Sequence, residues 1–467
     1  MKPTQKSKKD APSRRDVIKL VGGVALSAAG ALGLSAPVQA QHSPTSDKRE
    51  RKPRNLMFND PMYERQGSWI LAQAVYGGAD FGECLTTAAR ITEGDATSWY
   101  EAWTETADRI RKIADKCAAD GHTVSAREAY MRASNYYRAS YIFLFGAPVD
   151  PRLVEAFDQE VATFLEAAKL FTPIIEPVEI PFEGTTLPGY FYRVDNSGRP
   201  RPTVLATNGY DSTIQQMHFG HAVAAVRRGY NCLIFDGPGQ GRVLIKQGIP
   251  IRPDWETVVT PVVDYALSLP EVDTQRLALV GWSLGGYLAP RAAASEHRLA
   301  ALIADPGQWD MLDAIKGFLT TLPDTLPESK LDNPETLTDA DLQPYTDQIM
   351  SDPSLRWSFV QRAFWVHGVS SLREYIQAFA QFKLSTVAGD IRCPTLITQA
   401  ESDPIAAYAD KLYEALRCPK TLIRFTDEEG AGDHCESMAR SLYHQRSFDW
   451  LDEVMGVSAK ESNTGES

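Results

Sequence analysis

Apolar positions recur at three- and four-residue spacing from about Asp60 to Thr172: Trp69, Ala72, Val75 and Tyr76 first, then across Ser98 to Ala118 and Ala126 to Phe145. That period lines one face of an α-helix, and strand signals are few, so the spacing predicts an all-helical N-terminal domain over 60–175. The pattern changes near Glu176. Short β-branched or apolar runs follow at Val178–Phe182, Gly189–Val194, Thr203–Thr207, Asn231–Phe235, Leu277–Val280, Leu299–Ala304, Thr395–Thr398 and Thr421–Phe425. Helical stretches lie between most of the later runs: Met217–Arg228, Trp255–Leu267, Gly285–Ala294 and Ala406–Leu416. This alternation predicts an α/β domain over 176–455, with a mostly parallel eight-stranded sheet covered on both faces. One long gap breaks the rhythm. From about 309 to 388 only helical pattern appears, broken at Pro323, Pro327, Pro334 and Pro353, and an insertion of that size reads as a helical lid over a ligand site.

The chain ends differ from the body. A basic run, Lys6 to Arg15, precedes an apolar stretch from Val17 to Leu34 and then Val38-Gln39-Ala40, the order of a secretory signal over 1–40. Arg14-Arg15 resembles a twin-arginine export signal, which implies a periplasmic or secreted protein with no stable membrane insertion after cleavage. Residues 41–59 read as a flexible lead-in and 456–467 as a disordered tail. A net charge of -12 and the lack of a basic stripe beyond the first 55 residues exclude nucleic acid as a natural partner. The six cysteines show neither CxxC spacing nor a Cys/His cluster, so no metal site is expected, and buried free thiols are preferred over a disulfide.

Chemistry concentrates in Leu277 to Gly286, where an apolar strand runs into Gly281-Trp282-Ser283-Leu284-Gly285 and then a helical stretch. The Gly-x-Ser-x-Gly string alone is weak. Its strand-to-helix setting marks a nucleophile elbow, in which a sharp turn thrusts the serine above the sheet. A serine hydroxyl is a poor nucleophile near neutral pH and needs an imidazole to take its proton and a carboxylate to orient that imidazole. His434, in the Gly-rich loop after Thr421–Phe425, is the expected base; His367 lies within the lid and His444 in a helical pattern. Asp403, just beyond Pro394–Gln399, is the expected acid, with Glu401 its nearest competitor and Asp427 and Asp433 weaker.

The tetrahedral oxyanion formed on attack needs two preset backbone donors. Leu284, after the serine, would supply one, and Tyr210, in the loop Thr207 to Ser212, the other. The side chains of Tyr210 and Asp211 can reach substrate from there, although Asp211 can equally cap the turn. Asp236 to Gly241 lacks the spacing of a phosphate-cradling loop and reads as a structural turn beside the oxyanion loop. His218 and His221 read as surface or packing residues rather than metal ligands.

The chain resembles the FrsA-like α/β-hydrolases, a group that includes 2,6-dihydroxypseudooxynicotine hydrolase and fungal polyketide-shortening pigment hydrolases. The likeness spans about Asn55 to Val454 and rests on Tyr76 to Glu83, Ser98 to Trp103, Asn208 to Thr213, Gly281 to Gly286 and Gly430 to Cys435. It implies an α/β-hydrolase fold, a Ser283, Asp403, His434 triad and no cofactor. It also implies that some relatives cleave carbon–carbon bonds beside a ketone, with an acidic residue at the place of Asp211. The expected activity is hydrolysis of a carboxylic ester or such a C–C bond in a small, largely apolar substrate, held between sheet and lid, through an acyl-enzyme. A prolyl-oligopeptidase-like peptidase is disfavoured by the absence of propeller repeats, and a non-catalytic binding protein by the complete Ser, Asp, His order. The helical segment offers a surface through which a homodimer could form.

Overall fold

The computed structural model describes residues 55–319 and 326–457; the expected export signal, most of the lead-in and most of the tail lie outside the described residues. Five long helices come first: α1 (Pro61–Ala72), α2 (Phe81–Ala88), α3 (Ala96–Ala119), α4 (Thr123–Ser140) and α5 (Pro151–Ala168). Their starts follow from local chemistry. Asp60, Asp80, Asp95 and Asp150 each accept from backbone N–H groups of the first turn, and Pro61 and Pro151 open α1 and α5 where no N–H is needed. α3 buries Trp99, Ala102, Trp103, Thr106, Ala107, Ile110 and Ala114, one helical face. Phe58, Tyr63, Trp99 and Phe143 form an aromatic cluster that Trp357, far along the chain, joins at 5.7 Å from Phe143.

The sheet has eight strands: β1 (Glu176–Phe182), β2 (Thr185–Tyr192), β3 (Arg201–Thr207), β4 (Asn231–Phe235), β5 (Val272–Trp282), β6 (Ala301–Asp305), β7 (Thr395–Ala400) and β8 (Lys420–Phe425). Their order is β1-β2-β4-β3-β5-β6-β7-β8, with β2 antiparallel to both β1 and β4 and β3 through β8 parallel. β2 starts four residues earlier than its apolar run, because Glu183 and Gly184, both at positive φ, close a two-residue hairpin that pairs Phe182 with Thr185.

Parallel strands bring their carboxyl ends to one edge. After β3 the chain turns to β4 on one side and later to β5 on the other, and the crevice left at such a reversal is where open α/β sheets bind ligands. The loops at that edge follow Thr207, Trp282, Ala400 and Phe425, the four that the sequence singles out. Helices α6 (Glu256–Ser268) and α7 (Gly285–Ala293) cross between strands, and α8 (Arg440–Met455) closes the domain.

Between β6 and β7 the described residues are helical or irregular, without a strand. One helical run there, Pro353 to His367, loosens to a π-helix over Trp357–Ala363, and a second π-helix, His218–Ala222, follows the loop after β3. His218 and His221 are both buried: His218 packs on Phe164 and Tyr192, and its imidazole is pushed down to about 3 by burial. His367 likewise packs among Tyr375, Phe379 and Phe382. No described helix is long and apolar enough to cross a membrane. The six cysteines are free thiols, four of them buried.

Candidate active site

The elbow is built by what its glycines lack. Ser283 stands at φ 58°, a left-handed conformation that costs a non-glycine residue roughly 1–2 kcal/mol. A Cβ on Gly281 would lie 1.9 Å from the Gly285 carbonyl oxygen, and one on Gly286 1.9 Å from that of Pro306. Neither contact can relax, since both partners are backbone. The turn is fixed from below by the Ser283 N–H, which donates to the Asp305 carbonyl at 2.7 Å, and by the Gln308 amide, which donates to the Ser283 carbonyl.

Three side chains from three loops then meet. The Ser283 hydroxyl lies 2.8 Å from His434 Nε2, and His434 Nδ1 lies 2.7 Å from Asp403 Oδ2. The Asp403 side chain has no exposure, while His434 keeps 20%. The other Asp403 oxygen accepts the Ile405 N–H at 3.0 Å, which leaves the Oδ2 lone pairs facing the imidazole. The competing acids point elsewhere. Glu401 accepts from the Asp427 N–H, Asp427 accepts from the Ser402 hydroxyl, and Asp433 lines the cavity wall beside Arg65.

The loop after β3 passes directly over Ser283, and a Cβ on Gly209 would lie 2.8 Å from the Ser283 Cβ. Gln240, in the Asp236 to Gly241 turn, donates to the carbonyls of Asn208 and Gly209 at 2.8 and 2.9 Å, and the Asn208 amide donates to Asp236. These bonds tie that turn to the loop and draw both carbonyls towards Gln240. No hydrogen bond engages the N–H of Tyr210 or of Leu284 among the described residues. Tyr210 itself is buried, its ring against His367 and under the Arg362 guanidinium. Asp211, at φ 63°, accepts from Arg362 Nη2 at 2.7 Å, so its carboxylate is an ion-paired part of the cavity wall rather than a turn cap.

The cavity in front of Ser283 has a volume of about 620 Å³, a size that encloses a small organic molecule. A helical lid alone would roof the cavity on the sequence pattern, but the structure divides the roof: Trp357 and Arg362 come from the segment between β6 and β7, whereas Arg65, Ser68, Trp69, Asn135, Arg138 and Ile142 come from or adjoin α1 and α4. Trp69 stacks near-parallel with Trp282 and with the His434 imidazole, each at 5.8 Å. Asn55 and Leu56 also line the cavity, because Glu64 holds the N–H groups of Leu56, Met57 and Phe58 and pins the end of the lead-in there. Burial lowers the Arg65 guanidinium from its usual value, with Asp433 and Asp403 opposing that shift. Among the described residues no group of three or more His, Cys, Asp or Glu is placed to hold a metal ion.

The helical wall is anchored to the loop after β3 by a buried acid. Glu160 on α5 accepts from the Thr213 hydroxyl at 2.6 Å and from the Tyr141 hydroxyl at 2.5 Å, and burial pushes its carboxyl up to about 7.

Comparison with known proteins gives this geometry its context. A family model described as "Alpha/beta hydrolase family" matches residues 204–442, and one described as "Esterase FrsA-like" matches residues 86–312. "Hydrolase LUC6" from Fusarium sp is 36% identical over 413 residues, covering 84% of this chain and 96% of that protein. "20-hydroxy-prefusarin hydrolase FUS2" from Gibberella moniliformis is 34% identical over 405 residues, covering 83% and 95%. Among solved structures, the 2,6-dihydroxy-pseudo-oxynicotine hydrolase superposes with a TM-score of 0.64 at 24% identity, over 82% of this chain and 95% of that one, a likeness of fold. With the sheet order, the elbow and relatives matched over nearly their whole length, the chain belongs to the alpha/beta hydrolase family and is an enzyme of that class.

Proposed function

We propose that the enzyme is a serine hydrolase that cleaves a carboxylic ester, or a C–C bond beside a ketone, through an acyl-enzyme on Ser283. The observation that carries this reading is the unbroken contact chain from the Ser283 hydroxyl through His434 to Asp403, at 2.8 and 2.7 Å. In the reaction His434 takes the serine proton as the hydroxyl attacks the carbonyl carbon, and Asp403 keeps Nδ1 protonated and stabilises the imidazolium. The oxyanion is received by the N–H groups of Leu284 and Tyr210. Removal of one such donor typically costs about 10²–10³ in kcat. His434 then returns the proton to the leaving group, an alkoxide or an enolate, and water repeats the sequence to release the acid.

The substrate is small and largely apolar. Trp69, Trp282, Trp357 and Leu56 give the cavity its apolar surface, while Arg138, Arg362 and Asp211 supply a few oriented polar groups. Ketone cleavage draws support from the carboxylate of Asp211 in the loop over Ser283, the place where the family resemblance puts an acidic residue. The twin arginines at 14 and 15 support a periplasmic or secreted enzyme. A panel of p-nitrophenyl esters, β-diketones and aminoacyl anilides tests the bond type. Turnover of esters or β-diketones is expected; turnover of anilides alone would point to a peptidase and overturn the reading.

A further inference from the structure

The turn that presents His434 is held against its own preference. Cys435 and Glu436 follow it at φ 53° and 47°, two consecutive side chains in the left-handed region, and such backbone persists only where its surroundings over-determine it. Those surroundings are buried charge. From α8, Arg440 Nη1 donates to the Cys435 carbonyl at 2.9 Å and to Asp305 Oδ2 at 3.0 Å, and Nη2 donates to the Gly220 carbonyl at 2.9 Å. Asp305 ends β6; its backbone carbonyl takes the Ser283 N–H, and its Oδ1 accepts from the Thr398 hydroxyl on β7 at 3.0 Å. One guanidinium thus touches the histidine turn, the strand end that supports the elbow, and the π-helix behind the oxyanion loop.

Glu436 completes the cluster. It is fully enclosed, 4.0 Å from Arg440 Nη1, and it faces the Asp305 carboxyl group, yet neither of its oxygens has a donor among the described residues. An ionised carboxylate left so is strongly disfavoured in an apolar interior, and two facing carboxyl groups can bond only if one of them carries the proton. Asp305 already accepts from Arg440 and Thr398, so the proton belongs on Glu436. Burial first, and the charge of Asp305 second, raise the Glu436 carboxyl well above the usual carboxylate range. The charged and titratable groups around it are Asp305 from β6, Asp403 from beyond β7, Arg440 and Tyr443 from α8, and Cys435 of its own turn.

We propose that Glu436 is a positioning residue: as a neutral acid it donates a hydrogen bond to Asp305 and, with Arg440, locks the left-handed turn that presents His434 to Ser283. The proposal rests on the serine-hydrolase reading of the site. Glu436→Gln keeps a donor of the same shape, whereas Glu436→Leu fills the space without one. Two readouts are taken for each variant: kcat and KM on a p-nitrophenyl ester, and the downfield proton resonance of the His434 Nδ1–H bonded to Asp403. Glu436→Gln is expected to stay within about threefold of the wild type in kcat and to keep the resonance, while Glu436→Leu loses about tenfold or more in kcat at little-changed KM and loses the resonance. A wild-type-like Glu436→Leu, or a Glu436→Gln as impaired as Glu436→Leu, overturns the proposal. If Glu436→Leu does not fold, Glu436→Gln decides alone, and a loss beyond about tenfold in kcat refutes it. The resonance does not depend on turnover. A wild type that shows it yet turns over neither esters nor β-diketones therefore fails the reading of Ser283, and the Gln and Leu resonances still judge Glu436.

Discussion

Two surfaces meet at the cavity, the carboxyl edge of the sheet and the helical wall above it, and they are made by different means. At the sheet edge, backbone geometry places the proposed reacting groups: Gly281 and Gly286 sit where a methyl group would strike a carbonyl oxygen, and Ser283 is held at a positive φ between them. On the wall, side chains spaced three and four apart do the work, Arg65, Ser68 and Trp69 on α1 and Asn135, Arg138 and Ala139 on α4. The first surface has almost no freedom to vary without losing its turn. The second can change one side chain at a time and keep its helices, which makes it the natural seat of specificity.

The comparison predicts a graded set of effects. Ser283→Ala removes the proposed nucleophile and should lower kcat by about 10⁶-fold, with the fold and its thermal transition intact. A variant retaining more than a few per cent of activity would displace Ser283 from the chemistry. Asp403→Asn preserves shape but favours the wrong imidazole tautomer, and kcat should fall on the order of 10⁴-fold. Equal loss in Glu401→Gln would show that the acid had been misassigned.

On the wall, Trp69→Ala should act mainly through KM and substrate preference, about 10- to 100-fold in kcat/KM for the best substrate. A pure kcat loss of that size would instead make Trp69 a support for the imidazole it stacks on. The smallest effect concerns the join between the surfaces. Glu160 rises to about 7 in the fold against about 4.3 when unfolded, so the folded state holds the extra proton. Its contribution to stability is complete below the unfolded value and is lost as pH climbs through about 7. Wild-type Tm should therefore fall between about pH 4 and 7, and Glu160→Gln should flatten part of that fall. The buried Asp236, also pushed up to about 7, and the raised Glu436 carboxyl add to the same fall. A Glu160→Gln profile as steep as the wild type would remove Glu160 from the account.

How readable each surface was in the sequence follows the same division. The strands at the edge announce themselves through apolar runs, and the elbow through glycines whose spacing has a steric cause, so the sheet and the contact chain of Ser283, His434 and Asp403 lie within reach of local pattern. The hairpin turn at Glu183 and Gly184 was not, because Thr185 to Pro188 carry no strand period. The apolar period places Trp69 on one helical face, and an apolar residue on a helix looks the same whether it faces packed side chains or a cavity. Arg362 and Arg440 lack any local signature: what defines them is a partner 151 positions away in Asp211 and one 135 positions away in Asp305. The paired left-handed residues Cys435 and Glu436 offered a different obstacle, since neither is a glycine that would mark the conformation.

The most direct test of the central claim is covalent labelling of the folded protein with a fluorophosphonate, read by intact mass and peptide mapping. A single adduct on Ser283 is predicted, absent in Ser283→Ala and formed much more slowly in His434→Ala. Folded wild-type protein that stays unlabelled, or that carries the adduct on another serine, would contradict it.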